Sequence, residues 1–180
     1  MPLTDKLLAI AVVGVWGLNM IVIKLGVAEI PPLLMSALRF MLVAGLVLPF
    51  TRIRRADLPV LALLSFTFGT LHFGFLFAGL RHAEAGTSAV IIQLGAPIAT
   101  LLACLFLREP LGRRRLLGLL VSVAGIVLLA AGPTLPEPFS FALLVISATG
   151  WAVSNLIVKN IDDISPMAIM GWSSLLSVPQ

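Results

Sequence analysis

The chain has 180 residues, of which 59% are hydrophobic and 11% charged, and its mean hydropathy is +1.11. Ordinary soluble domains carry about 45–50% apolar and about 25% charged residues, and so short a chain cannot hide such an excess from water; a soluble globule is excluded and most of the surface must face lipid. The net charge of +4 and pI near 10.2 do not make a nucleic-acid footprint, because Lys and Arg are not gathered on one polar face but sit between apolar runs, where basic residues mark cytoplasmic loops.

A bilayer core of about 30 Å takes about 20 residues of helix. Six runs meet that length, at Leu7–Val27, Pro32–Phe50, Leu58–Leu80, Gly86–Leu107, Leu116–Ala131 and Phe139–Val158, and a seventh begins near Pro166 and reaches Gln180. The connections are short and hold the breakers: Ile30-Pro31-Pro32, Arg52 to Pro59, Arg108-Glu109-Pro110, Pro133 to Pro138 and Asp162 to Pro166. Proline after a polar cluster suits the first turn of the next helix, where its missing N–H costs nothing. The pattern predicts an all-α integral membrane protein, a polytopic helical bundle. One cysteine, Cys104, supports neither a disulfide framework nor a thiolate cluster.

Counting loops alternately, one side holds Lys6, then Arg52, Arg54 and Arg55, then Arg108 and Arg113-Arg114-Arg115, then Lys159; the other holds Lys24 and Arg81 with Glu29, Glu84 and Glu137. The positive-inside rule then sets the N-terminus in the cytoplasm.

A shift of 135 positions superposes Trp16 on Trp151, Lys24 on Lys159, Pro31 on Pro166 and Met35 on Met170, with Asn19 and Asn155 matching after a one-residue slip. The second copy is offset by five predicted helices, an odd number, so it is inverted in the membrane, the arrangement of alternating-access carriers. The expected organisation is a first five-helix repeat over residues 1–135 and the start of a second, inverted one over 136–180, read as part of a protein of about ten helices. The same Trp-to-Lys pattern at 151–159 argues against reading the N-terminal run, with its Gly26-Val27-Ala28 tail, as a cleaved leader.

Polar side chains inside the bilayer are costly and mark function by default, at about 2.5–3.5 kcal/mol for Arg or Lys at mid-helix. At about 1.5 Å rise per residue, Arg39 and Gln93 lie roughly 10 Å from the outer ends of their helices, and Asn19, His72 and Ser147 roughly 12 Å. These five groups share one layer, and with Trp16, Trp151 and Asn155 as walls and repeat partners they form the predicted binding site for a small polar solute. The competing reading of Asn19, Gln93 and Ser147 is hydrogen bonding between helices; that of His72 is a neutral bridging imidazole; that of Arg39 is outward snorkelling, which is also the reading of Lys24. Gly95, Ala99 and Ala103 form a small-residue stripe on the fourth helix, Pro97 is placed to bend that helix beside Gln93, and Gly118 with Ser122 form a second stripe on the fifth.

No Gly-rich phosphate loop, nucleophile elbow or set of residues at metal-ligand spacing occurs in the sequence. An enzyme, a metal site and a bound cofactor are therefore not expected; the expected partners are the bilayer and a small-molecule substrate, with no nucleic acid.

The stretch Val15-Trp16-Gly17-Leu18-Asn19, continuing through Ile23-Lys24-Leu25-Gly26 and Pro31-Pro32 to Leu38-Arg39-Phe40-Met41-Leu42-Val43, resembles the opening of EamA-type exporters of the drug/metabolite transporter superfamily. Leu107-Arg108-Glu109-Pro110-Leu111, Leu117-Gly118 and Ala124-Gly125-Ile126-Val127-Leu128-Leu129 resemble the end of that family's five-helix unit. The resemblance implies ten helices in two inverted repeats and efflux of small metabolites across a bacterial cytoplasmic membrane, within the subgroup that exports amino-acid or cysteine-pathway metabolites such as O-acetylserine. A channel or a broad-specificity drug and metabolite efflux protein is the alternative. The inverted topology predicts that Lys24→Cys and Lys159→Cys, each in a Cys104→Ser background, react with an impermeant thiol reagent from opposite faces of the membrane. Labelling from one face removes the repeat.

Overall fold

The computed structural model describes residues 2–108, 110–130, 136–161 and 163–180. The expected end of the fifth run at Ala131, the repeat boundary after Leu135, and Glu109, Pro133 and Asp162 of the expected loops lie outside the described residues. Seven helices account for nearly all of what is described: α1 (Leu3–Glu29), α2 (Pro32–Phe50), α3 (Arg55–His82), α4 (Ala85–Phe106), α5 (Arg113–Ala130), α6 (Pro138–Lys159) and α7 (Pro166–Ser177). Pro32, Pro138 and Pro166 each open a helix, at the position where proline's fixed φ fits and its absent donor is not missed.

Five of these helices, α1, α2, α3, α4 and α6, are long and apolar enough to cross a membrane. The fifth predicted run differs from expectation at its start. Helix α5 begins at Arg113, not Leu116, so the basic cluster Arg113-Arg114-Arg115 forms its first turn instead of a loop.

Helix α3 is the centre of the bundle. Phe73, Leu76, Phe77 and Leu80 of α3 form one buried cluster with Ile23 and Val27 of α1, Phe40 of α2, Ile91 of α4 and Leu144 of α6. Its partners fix the directions. Gly79 of α3 faces Leu143 and Leu144 of α6, while Gly150 of α6 faces Thr67 and Leu71 of α3, so α3 and α6 are antiparallel. At the other side of α3, Lys24 Nζ donates to Leu80 O at 2.8 Å and Arg81 O at 3.1 Å. The C-terminal ends of α1 and α3 thus meet, and α6 runs opposite to α1. The Lys24 ammonium thus sits on the open carbonyls at the end of α3, where a cation is favoured.

The contact of α6 with α3 is close because Gly150 has no side chain. A Cβ there would stand 2.7 Å from Leu71 Cβ, 2.8 Å from Thr67 O and 2.9 Å from His72 N. Gly95 of α4 likewise lies under the Trp151 ring, 2.7 Å from where its Cβ would be, so the predicted stripe on α4 does receive a neighbour. The stripe on α5 does not: nothing among the described residues lies within 4 Å of a Cβ built at Gly118. Gly150→Ala should therefore destabilise the bundle by about 1–3 kcal/mol through forced separation of α3 and α6. Gly14→Ala, where a Cβ meets open space, should be neutral or gain up to about 1 kcal/mol of helix propensity. Thermal melts of the two purified variants check the contrast, and equal melting temperatures would refute the tight α3–α6 seat.

Candidate functional site

Two helices lose regular backbone in the middle of the bundle. In α3 the α-helical turns Leu58–Leu64 and Phe75–His82 flank a π-helical stretch, Ser65–Gly74. Both of its glycines lie against neighbours: a Cβ at Gly69 would meet the Ser177 side chain of α7, and one at Gly74 would touch Leu33 of α2. Short π segments collect at functional sites, and irregular backbone at membrane depth survives where protein, not lipid, surrounds it.

Helix α4 breaks between Ala85–Ile92 and Gly95–Phe106. Pro97 explains the place. It has no N–H for the carbonyl of Gln93 four residues earlier, and Ala96 N donates to Gln93 O instead, at 3.2 Å. Gln93 N and Leu94 N also bond three residues back, to Val90 O and Ile91 O, which tightens the chain into 3₁₀-type turns beside the expected binding residue.

The π stretch places His72 in a buried cluster. Ser147 Oγ of α6 donates to His72 O at 2.8 Å and lies 3.0 Å from His72 Nδ1, which is also 3.1 Å from Ser147 O. The two side chains are joined across the helix interface, and Ser147 is fully buried. His72 stacks on Phe68 with ring centroids 5.5 Å apart and meets the Phe73 ring at 4.6 Å. Arg39 also lies against Phe73, its Cζ over the ring at 4.3 Å from the centroid. Arg39 is half-buried rather than extended to the surface. The cation–π contact is worth about 0.5–2 kcal/mol, yet Arg39 Nη1 is buried with no hydrogen-bond partner among the described residues.

The predicted residues therefore separate into groups. Arg39, His72 and Ser147 come together around Phe73. Trp151 packs over Gly95, the first residue after the α4 break. Gln93 and Asn155 are exposed, Asn19 is half-buried and Trp16 is 58% exposed. Asn155 Nδ2 bonds back to Trp151 O within its own helix at 2.8 Å. Depth from the helix ends put these groups at one level but could not say which way each one turned.

Sequence reasoning missed a polar seam along α3. Ser154 of α6 donates to Thr67 at 3.0 Å, Ser177 of α7 donates to Ser65 O at 3.2 Å, and Gln180 joins Ser65 Oγ at 2.8 Å and accepts from Thr70 at 2.5 Å. A signal existed, since Ser140, Ser147 and Ser154 recur every seven residues on α6 and all are buried. Beside the seam a cavity of about 210 Å³ opens between α2, α3 and α7, with Ser36, Phe40, Thr70, Ser177 and Gln180 among its walls. Among the described residues no three His, Cys, Asp or Glu side chains converge as a metal site would need.

An irregular helix that holds a buried polar cluster, beside a second helix broken at a proline in a polytopic bundle, is a construction that membrane transporters use. Residues 5–131 match the model of the EamA-like transporter family, and the chain belongs to that family. Over 97% of its length it is 33% identical to a "Probable amino-acid metabolite efflux pump" of Salmonella typhimurium and 31% identical to a protein of the same description in Escherichia coli, covering 61% of each. An uncharacterized transporter of Archaeoglobus fulgidus is 26% identical over 81% of this chain and 54% of its own. The chain thus spans about three-fifths of the length of the first two relatives. No solved structure matches it.

If His72 and Ser147 act as one unit, their effects on stability are non-additive. A double-mutant cycle of His72→Leu and Ser147→Ala should give a coupling of about 0.6–1.7 kcal/mol, the range for hydrogen bonds between membrane helices. Denaturation of the purified variants measures it, and a coupling of zero would show that the contact contributes nothing.

Proposed function

We propose that this chain serves a secondary carrier that exports small polar metabolites, amino-acid metabolites among them, across the cytoplasmic membrane of a bacterium, with its N-terminus in the cytoplasm. The observation that carries the reading is the pairing of the π-helical stretch of α3 with the break in α4 at Gln93. Both set irregular helical backbone inside a membrane bundle, and broken helices are where carriers build their binding sites. The descriptions of the Salmonella and Escherichia relatives support an amino-acid metabolite as cargo.

In this reading Arg39, Asn19, Gln93 and Asn155 meet the solute and Trp16 and Trp151 form walls, while His72 and Ser147 hold α3 on α6. The opposed directions of α1 and α6 favour two inverted repeats, 1–135 and 136–180, moving against one another.

Flux into proteoliposomes holding the full-length product of the gene tests the proposal. Saturable uptake of amino-acid metabolites that excess unlabelled solute competes away is the expected result. A non-saturating conductance would mean a pore, and no flux of any small metabolite would end the transport reading.

A further inference from the structure

Three buried side-chain polar atoms have no hydrogen-bond partner among the described residues: Arg39 Nη1, Ser88 Oγ and Trp172 Nε1. Only the first belongs to a charged group. Arg39 is also, among the described residues, the Lys or Arg farthest from either end of its helix. A guanidinium at that depth is expected to face protein or a water-filled cavity and to be paired. What the protein supplies is an aromatic face: Phe73, held edge-on by Phe40 at 5.6 Å, Phe68 at 4.9 Å and Phe77 at 6.0 Å.

The geometry of that contact is selective. Arg39 Cζ lies over the ring, and the N–H donors of a guanidinium lie in its own plane, spread around its edge. An aromatic ring offers no acceptor oxygen to match the five donors of the fork, and the donor on Nη1 is out of solvent and unmatched. A planar monoanion that accepts two parallel hydrogen bonds completes such a fork. One cation matches one negative charge.

We infer that Arg39, oriented by Phe73, is the site that recognises the carboxylate of the transported solute. The inference rests on the transport reading above and narrows its cargo to carboxylates. Phe73 is a positioning residue, reached from the π-helical stretch of α3, so carboxylate recognition is coupled to the helix whose backbone is irregular.

The test compares L-amino acids with their own carboxamides, which keep size and amine but lose the anion. Ligand-induced rises in melting temperature are recorded for the full-length protein in detergent across a panel of such pairs. At least one amino acid should stabilise the protein, with its carboxamide needing about 10- to 100-fold higher concentration, the usual loss when a charged hydrogen bond goes unmade. Arg39→Gln should bring acid and amide level. Phe73→Leu should weaken the acid alone, a change in ratio that mere loss of packing would not produce. Should Arg39→Gln fail to accumulate, Arg39→Lys serves, because a point charge keeps the sign but loses both stacking and fork; it should lose most of the discrimination. The inference is overturned if amides stabilise as well as acids, if no acid stabilises at all, or if discrimination survives in the arginine variants. Saturable flux of amides or amines alongside any of these outcomes would leave the carrier standing without its carboxylate site, whereas absence of all flux would remove the carrier itself.

Discussion

The seating of α6 on the middle of α3 is the contact on which the other positions depend. Lipid is as apolar as a leucine side chain, so two membrane helices gain little from burying apolar surface against each other and must rely on close packing and hydrogen bonds. Gly150 supplies the first, bringing α6 to within contact of Thr67 O and the backbone at His72. The Ser147–His72 and Ser154–Thr67 bonds supply the second. With α3 held in this way, α1 meets its C-terminal carbonyls through Lys24 and α7 meets its opposite half through Ser177 and Gln180.

That seat also accounts for where irregular backbone is tolerated. A π-helical stretch facing lipid would leave misaligned carbonyls without water to satisfy them. Here Ser65, Thr67, Gly69, His72, Phe73 and Gly74 are all buried, and side chains from α6 and α7 reach several of the backbone groups. The break in α4 is cheaper. It replaces bonds four residues apart by bonds three apart, so few groups are left open although Gln93 itself is exposed.

Spans and turns were legible in the sequence because they depend on hydropathy and proline alone: α2 and α7 start at the expected prolines, and α6 starts at Pro138, one residue ahead of the expected Phe139. The α4 break was legible too, from Pro97, although it falls one turn earlier because the missing donor belongs to the carbonyl of Gln93. Direction around a helix was not legible. Depth arithmetic gives height and no azimuth, so it grouped Gln93 with Arg39 when one is exposed and the other folded on Phe73. The π stretch was not legible: the residues packed against it, Gly150 and Ser177, lie far along the chain, and no local pattern announces their approach. The α5 start was misjudged because the sequence showed three arginines as a loop, and helical propensity, high for arginine, carried the helix through them.

Two kinds of polar residue then coexist in one bundle. Ser147, Ser154 and Thr67 have their hydrogen bonds made within the protein, and each such pair contributes stability without leaving a group for a solute. Arg39 has the reverse character, with a face occupied and a buried donor unmade. Retaining such a group reduces stability, because a buried donor that loses its partner costs about 1–3 kcal/mol and more when charged. The bundle segregates the two kinds: saturated pairs fix the α3–α6 framework, and the unsaturated group stands beside it on α2, against the ring of Phe73. Since a ring face holds a cation less directionally than a hydrogen bond does, this is the one polar group of the cluster that can change partners while the framework stays closed.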